Sequence, residues 1–309
     1  MDWPLRKYSR RGFAGILLGA LCRLSGQTTA SSSGSAPPGP VTSPGVRKTS
    51  RTYRCDAVVL FLGLTIAKRT GVGGGQAYVD ETGEGASLMR TFFFAGGSDP
   101  KRAHGFNRLG WMREVAPGST PTPAEASYFG VLTSSPEESL ENARTTAAAP
   151  PAGRSIFSAV SGRNTPGHSR SAITHFEFAA AALWSDRALI EHAQGTFQAN
   201  AEWRETAWPA WPDQAPPTFL FQLATLLKQR SGRASGRYVY NEQEYALEVE
   251  PQPGRTRERL LLVRGKIRNL RTKHDTLFRL WLEEGSDSVV PVRIEYQARS
   301  FLRLTFEAV

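Results

Sequence analysis

Residues 277–307, LFRLWLEEGSDSVVPVRIEYQARSFLRLTFE, alternate apolar and polar side chains in steps of two. Val292, Ile294 and Tyr296 fall on one side of an extended chain, and Arg293, Glu295 and Gln297 on the other. Leu302, Leu304 and Phe306 repeat the pattern, and Glu284–Asp287 supplies a turn. The stretch therefore reads as strands at 276–283, 289–297 and 300–307. A strand at 258–270 and a hairpin at 237–250 turning near Asn241-Glu242 complete an antiparallel meander. One apolar and one polar face is how a sheet covers a core or a cavity on one side.

Working outward, Phe219, Leu220, Leu223, Leu226 and Leu227 recur at helical spacing and predict the main helix, Thr218 to Arg230. The preceding segment, 203–217, places three Trp among four Pro and reads as irregular. A short helix is expected at 186–194, and strands at 155–161 and 170–178 around Asn164-Thr165-Pro166-Gly167. The low-complexity run 145–153 reads as a long loop or a division between two lobes. Ser135-Pro136-Glu137-Glu138 is a capping-box pattern for a helix to about Arg144. Further strands are expected at 53–68, 76–81, 87–94 and 126–133, with Gly71–Gly75 as a hairpin turn. That glycine run lacks the Lys-Ser/Thr and following helix of a phosphate loop. The fold class is mainly β: a curved antiparallel sheet or open half-barrel, with one principal helix and a few short ones.

The N-terminus reads as an export signal. A basic segment is followed by the apolar run 13–21, too short for the roughly 20 residues a membrane span needs. Small residues at Thr28-Thr29-Ala30 suit cleavage. Ser9, Arg10, Arg11 and Phe13 resemble the twin-arginine motif, although Ala14 and Gly15 stand where Leu and Lys are usual. A general secretory signal and a lipoprotein acylated at Cys22 are the alternatives; Leu21, which is not small, counts against the second. Residues 31–50, rich in Ser, Gly and Pro, read as a tether, and 51–309 as one β-rich domain.

The formal charge of +10 divides unevenly. Five basic residues and one acid put +4 on residues 1–30, and Arg47 and Lys48 add +2, leaving +4 on the rest. A basic domain surface of the nucleic-acid-binding kind is therefore not indicated. Of two cysteines, cleavage after Ala30 leaves Cys55 alone, so no internal disulfide is expected.

The helix at 218–230, the hairpin RYVYNEQEYALEVE, and the strands Arg279-Leu280-Trp281-Leu282 and Pro291-Val292-Arg293-Ile294 resemble a family of exported bacterial proteins described as a domain of unknown function. The resemblance covers roughly the last ninety to one hundred and fifty residues. It implies a curved, nearly all-β clam similar to periplasmic lipoprotein carriers. It implies no catalytic residues.

Several groupings are candidates for function. Trp203, Trp208 and Trp211 could lid an apolar cavity, or plug the end of the sheet as core aromatics. Arg102, Arg108 and Arg113, with His104 and Asn107, could converge on an anion, or bond loop carbonyls. In a strand, Arg264, Lys266 and Arg268 share one face and could meet lipid headgroups or an anionic envelope polymer, or simply be solvated. His175 and Glu177 share a strand face, with a polar surface pair as the bland alternative. The five histidines show no zinc-site spacing, no Gly-x-Ser-x-Gly elbow is present, and no cofactor motif is seen. The expected function is non-enzymatic binding of a lipid or other apolar ligand in the cell envelope, with the twin-arginine translocase as partner during export. The alternatives are an envelope hydrolase using residues 95–115, and an assembly protein using the basic face.

Overall fold

The computed structural model describes residues 47–61, 64–99, 102, 109–118, 123–132, 154–179, 184–229, 232–252, 259–299 and 302–309. Ser9, Arg10, Arg11, Phe13, Cys22, His104, Asn107, Arg108, the predicted helix near 135–144 and the run 145–153 lie outside them.

The N-terminal strands are β1 (Arg47–Phe61), β2 (Leu64–Thr82), β3 (Met89–Ser98), β4 (Leu109–Pro117), β5 (Ala126–Leu132), β6 (Arg154–Thr165), β7 (His168–Ala179) and β8 (Arg204–Ala207). The C-terminal strands are β9 (Ala234–Tyr240), β10 (Gln243–Gln252), β11 (Leu260–Asn269), β12 (Asp275–Glu283), β13 (Arg293–Arg299) and β14 (Leu302–Ala308). Helix α1 (Arg187–Asn200) precedes β8, and α2 (Phe219–Leu227) precedes β9. These fourteen strands of the described residues form one antiparallel sheet in the order β8 to β1, then β14 to β9. Strands adjacent in the sheet are chain neighbours, except at the centre, where β1 lies against β14 from Tyr53↔Ala308 to Val59↔Leu302; β8 and β9, consecutive in the chain, are the two ends of the sheet.

The alternation read in 277–307 sets the inward face. Ile294 pairs with Phe306 and Leu280, and Tyr296 with Leu304 and Phe278, so one apolar row crosses β12, β13 and β14. Continued across β1 it meets Tyr53 and Cys55, which are buried. This concave face folds over on itself: Met112, Tyr128 and Val160 share a buried cluster with Tyr238, Tyr240, Leu247 and Leu282 from the far end of the sheet. The convex face carries a second core. There α1 lays Leu189, Ala193 and Phe197 over Trp111, Val131, Phe157 and Phe176. The Asp186 carboxylate caps α1 by accepting from the Ala188 and Leu189 N–H groups.

Four expectations change. The Gly-rich run is no turn: Gly73, Gly74 and Gly75 lie inside β2, facing Ser98, Gly97 and Gly96 of β3. The reason is space: a Cβ on Gly73 would stand 1.9 Å from the Gly97 carbonyl oxygen, and one on Gly75 would stand 2.7 Å from the Ala95 carbonyl oxygen and 3.3 Å from the Phe306 ring, which also lies 2.9 Å from where a Cβ on Gly96 would be. Only Gly71, at φ +61°, makes a bend, and its N–H is held by the buried Asp56 carboxylate at 2.8 Å. Second, residues 95–98 and 109–115 are the ends of β3 and β4 rather than a loop. Third, Arg204–Ala207 within the Trp-rich segment is edge strand β8, and Arg47–Ser50 of the expected tether opens β1. Fourth, the described residues hold two helices of similar standing. The predicted 186–194 helix runs on to Asn200, and the predicted main helix is the shorter.

Candidate functional site: the concave face and its helix

Helix α2, FLFQLATLL, is apolar on nearly every side, and such a helix must be enclosed. It lies on the concave face. Phe221, Ala224, Leu226 and Leu227 are buried, and Phe219, Leu220 and Leu223 pack against the same clusters. Phe221 meets Phe92 edge-on at 6.0 Å, and Phe219 meets Tyr238 at 5.2 Å.

The helix start is held unusually. Its N-cap residue, Thr218, makes no side-chain cap bond. The Glu114 carboxylate of β4 takes that role, accepting from the Leu220 N–H at 2.9 Å and the Phe221 N–H at 3.0 Å. Glu114 is 0 % exposed, and among the described residues no cation lies within ion-pairing distance. Burial pushes its carboxyl up to about 7, and the donated N–H groups, Leu220 first, offset only part of that rise. Among the described residues, three buried tyrosines, Tyr128, Tyr238 and Tyr240, feel its charge. Burial drives each of their hydroxyls upward, so all three stay neutral around it.

The two edges of the sheet approach each other without pairing, and the chain between Trp208 and Thr218 bridges them. Asn164 of β6 donates to the Pro216 carbonyl at 2.9 Å, and the Val239 N–H of β9 donates to the adjacent Pro217 carbonyl at 2.9 Å. Tyr128 and Tyr240 meet across the seam at 4.5 Å with their rings tilted, and the Asn241 N–H donates to the Tyr128 hydroxyl at 2.8 Å. Gly162 makes room for the Tyr128 ring, which a Cβ there would strike at 2.1 Å.

The Trp residues separate into two places. Trp208 donates to the Ser169 hydroxyl at 2.6 Å and meets Trp211 edge-on, while Arg237 of β9 lies over Trp211 at 5.0 Å. Both therefore belong to the seam. Trp203 is on the convex side, against Phe197 of α1 and under Arg170. Among the anion candidates, Arg102 lies beside Asp99 at 3.8 Å, whereas Arg113 is on the convex face of β4 and bonds Tyr78. The two share no partner among the described residues. Arg264, Lys266 and Arg268 do share the convex face of β11, but acids interleave them. Glu250 and Glu248 stand opposite Arg264 and Lys266, and Asp275 lies 3.6 Å from Lys266 and 3.5 Å from Arg268. His175 is hydrogen-bonded through Nδ1 to the Ser158 hydroxyl at 2.8 Å on the neighbouring strand. A separate groove of about 780 Å³ opens beside Trp281 and the Glu284–Ser286 turn. Its Arg293 stacks on Trp281 at 4.8 Å and pairs with Glu295 and Glu307.

Sequence reading missed Glu114. The clue was present: once 109–117 is taken as a strand, Met112, Glu114 and Ala116 face the same way, and an acid stands in an apolar row.

These features define a class: a single, open, barrel-like antiparallel sheet with an apolar helix lodged on its concave face. No protein-family model and no curated protein matches the sequence. Among solved structures, the chain is similar to a β-barrel-like protein of the domain of unknown function DUF1849 from Brucella abortus. The TM-score is 0.39 and the identity 8 %, over 84 % of this chain and 94 % of that one. No helix among the described residues is long and apolar enough to cross a membrane.

Proposed function

We propose that this protein is a non-enzymatic carrier of a lipid-like, apolar ligand in the bacterial cell envelope, reached by twin-arginine export. One observation carries the reading: α2, apolar on nearly every side, is lodged on the concave face of an unclosed sheet. An apolar segment seated on an apolar face occupies the kind of surface that an acyl chain would fill, and a sheet closed by a bridging loop has a place to open. The loop bridging β6 to β9 ties the two ends through single bonds, Asn164 to the Pro216 carbonyl and Val239 to the Pro217 carbonyl, rather than through a strand ladder. The hydrolase reading lacks comparable support, because Arg102 and Arg113 have separate partners on different parts of the sheet.

The test is native mass spectrometry of the protein purified from the periplasm of its own bacterium. A bound lipid of defined mass, lost when the protein is denatured, is the expected result. Protein at its bare mass, with no binding of dansyl-undecanoic acid in titration, would rule the carrier role out. Export is tested separately: changing Arg10 and Arg11 to Lys should strand folded precursor in the cytoplasm, and unaffected export would point to the general secretory route.

A further inference from the structure

We propose that Glu114 is a proton-operated latch for α2: the helix stays seated while the carboxyl holds its proton, and seating weakens as the carboxyl ionises. The proposal rests on the carrier reading for its purpose, since unseating α2 would open the concave face to a ligand.

The geometry isolates this one group. Glu114 is wholly buried, and it holds the first turn of α2 through two N–H groups. A buried charge without a counter-charge is costly, so the site favours the neutral acid. Among the described residues, every element packed around it leaves the charge uncompensated. The residues beside it in register are Phe92 on β3 and Tyr128 on β5, β9 brings Tyr238 and Tyr240, and α2 itself contains no charged residue. Its chain neighbour Arg113 points to the convex face and bonds Tyr78. At the other end of α2, Lys228 lies near Arg90, Glu81 and Asp287, an exposed group away from the latch. The remaining ties of the helix do not depend on protons. They are the packing of Phe221, Ala224, Leu226 and Leu227 against the sheet.

The sign follows from linkage. Freed into water the carboxyl returns to its ordinary value of 4.5, and seated it stands at about 7. The seated state therefore binds the proton more tightly. Its advantage is full below about 4.5, shrinks tenfold per pH unit, and is spent by about 7, roughly 300-fold in all.

Hydrogen exchange of the Leu220 and Phe221 amides in the full-length protein, without ligand, tests the latch. After correction for intrinsic exchange, protection should fall about 30-fold between pH 5.5 and 8. Glu114→Gln, which cannot ionise, should flatten the profile. Equal wild-type protection at both pH values overturns the proposal, and that arm needs no variant to fold. An equal loss in α1, at Ala193 for example, would also overturn it, because the change would then be global rather than confined to α2. Dansyl-undecanoic acid binding, measured in parallel, separates the two claims. Probe binding with pH-independent exchange sinks the latch and leaves the carrier. pH-dependent exchange without probe binding at either pH supports the latch and sinks the carrier.

Discussion

Glu114 occupies an inward strand position where its neighbours are Met112 and Ala116. Its effect on the whole protein has a definite sign. Between pH 4.5 and about 7 the folded chain holds a proton that the unfolded chain has released, so this group makes stability decline as pH rises. The decline is about 3 kcal/mol across that window, taken from a shift of about 2.5 units at 1.36 kcal/mol each. Urea denaturation at pH 5 and pH 8 should show a smaller difference for Glu114→Gln than for wild type, and equal differences would refute the assignment. A second residue-scale test concerns Phe306. A Cβ at Gly96 would sit 2.9 Å from its ring, so Gly96→Ala should cost about 1–3 kcal/mol through overpacking. Adding Phe306→Leu should return part of that loss, and a double-mutant cycle measures the coupling.

At the level of elements, the hairpin of β9 and β10 turns on Asn241 and Glu242, at φ +46° and +58°. Both positions of such a turn suit Asn or Gly, and Glu242 is the misfit. Glu242→Gly should raise stability by about 0.5–1 kcal/mol, visible as a higher melting temperature. Conversely, Asp186→Ala removes the cap of α1 and should cost about 1 kcal/mol, a loss that Asp186→Asn mostly avoids. These elements were largely readable beforehand. The two-residue period of β12 to β14 and the Asn241-Glu242 turn need only local sequence. Gly73 to Gly75 could not be placed that way, because glycine has no side chain to show a period and Phe306, which Gly75 accommodates, is over two hundred residues away. β4 was hidden by its mixture: convex Trp111 and Arg113 alternate with concave Met112 and Glu114, so apolar residues face both ways under a sheet with a core on each side. The latch was out of reach for the same reason of distance, since Glu114 and Leu220 lie 106 residues apart.

For the whole molecule, β14 is the keystone. It pairs with β13 on one side and β1 on the other, joining the eight-strand and six-strand runs of the sheet. Removing residues 302–309 should therefore abolish cooperative unfolding altogether, where trimming a surface segment of equal length would not. Circular dichroism during urea titration would decide. The long separation of β1 from β14 also predicts refolding on the millisecond-to-second scale or slower, the usual consequence of distant strand pairing. The mixed charges around Arg264, Lys266 and Arg268 further predict that their reversal changes binding to anionic vesicles little.

The same pairing sets a clock on the ribosome. β14 is made only after β1 and some 240 intervening residues have been translated. At about 5–20 residues per second, the β14-facing edge of β1 waits on the order of ten to fifty seconds for its partner. Its other edge is taken early by β2. The nascent chain thus carries one open strand edge for the whole time that the residues between β1 and β14 are being made, and closes it only when β14 has followed.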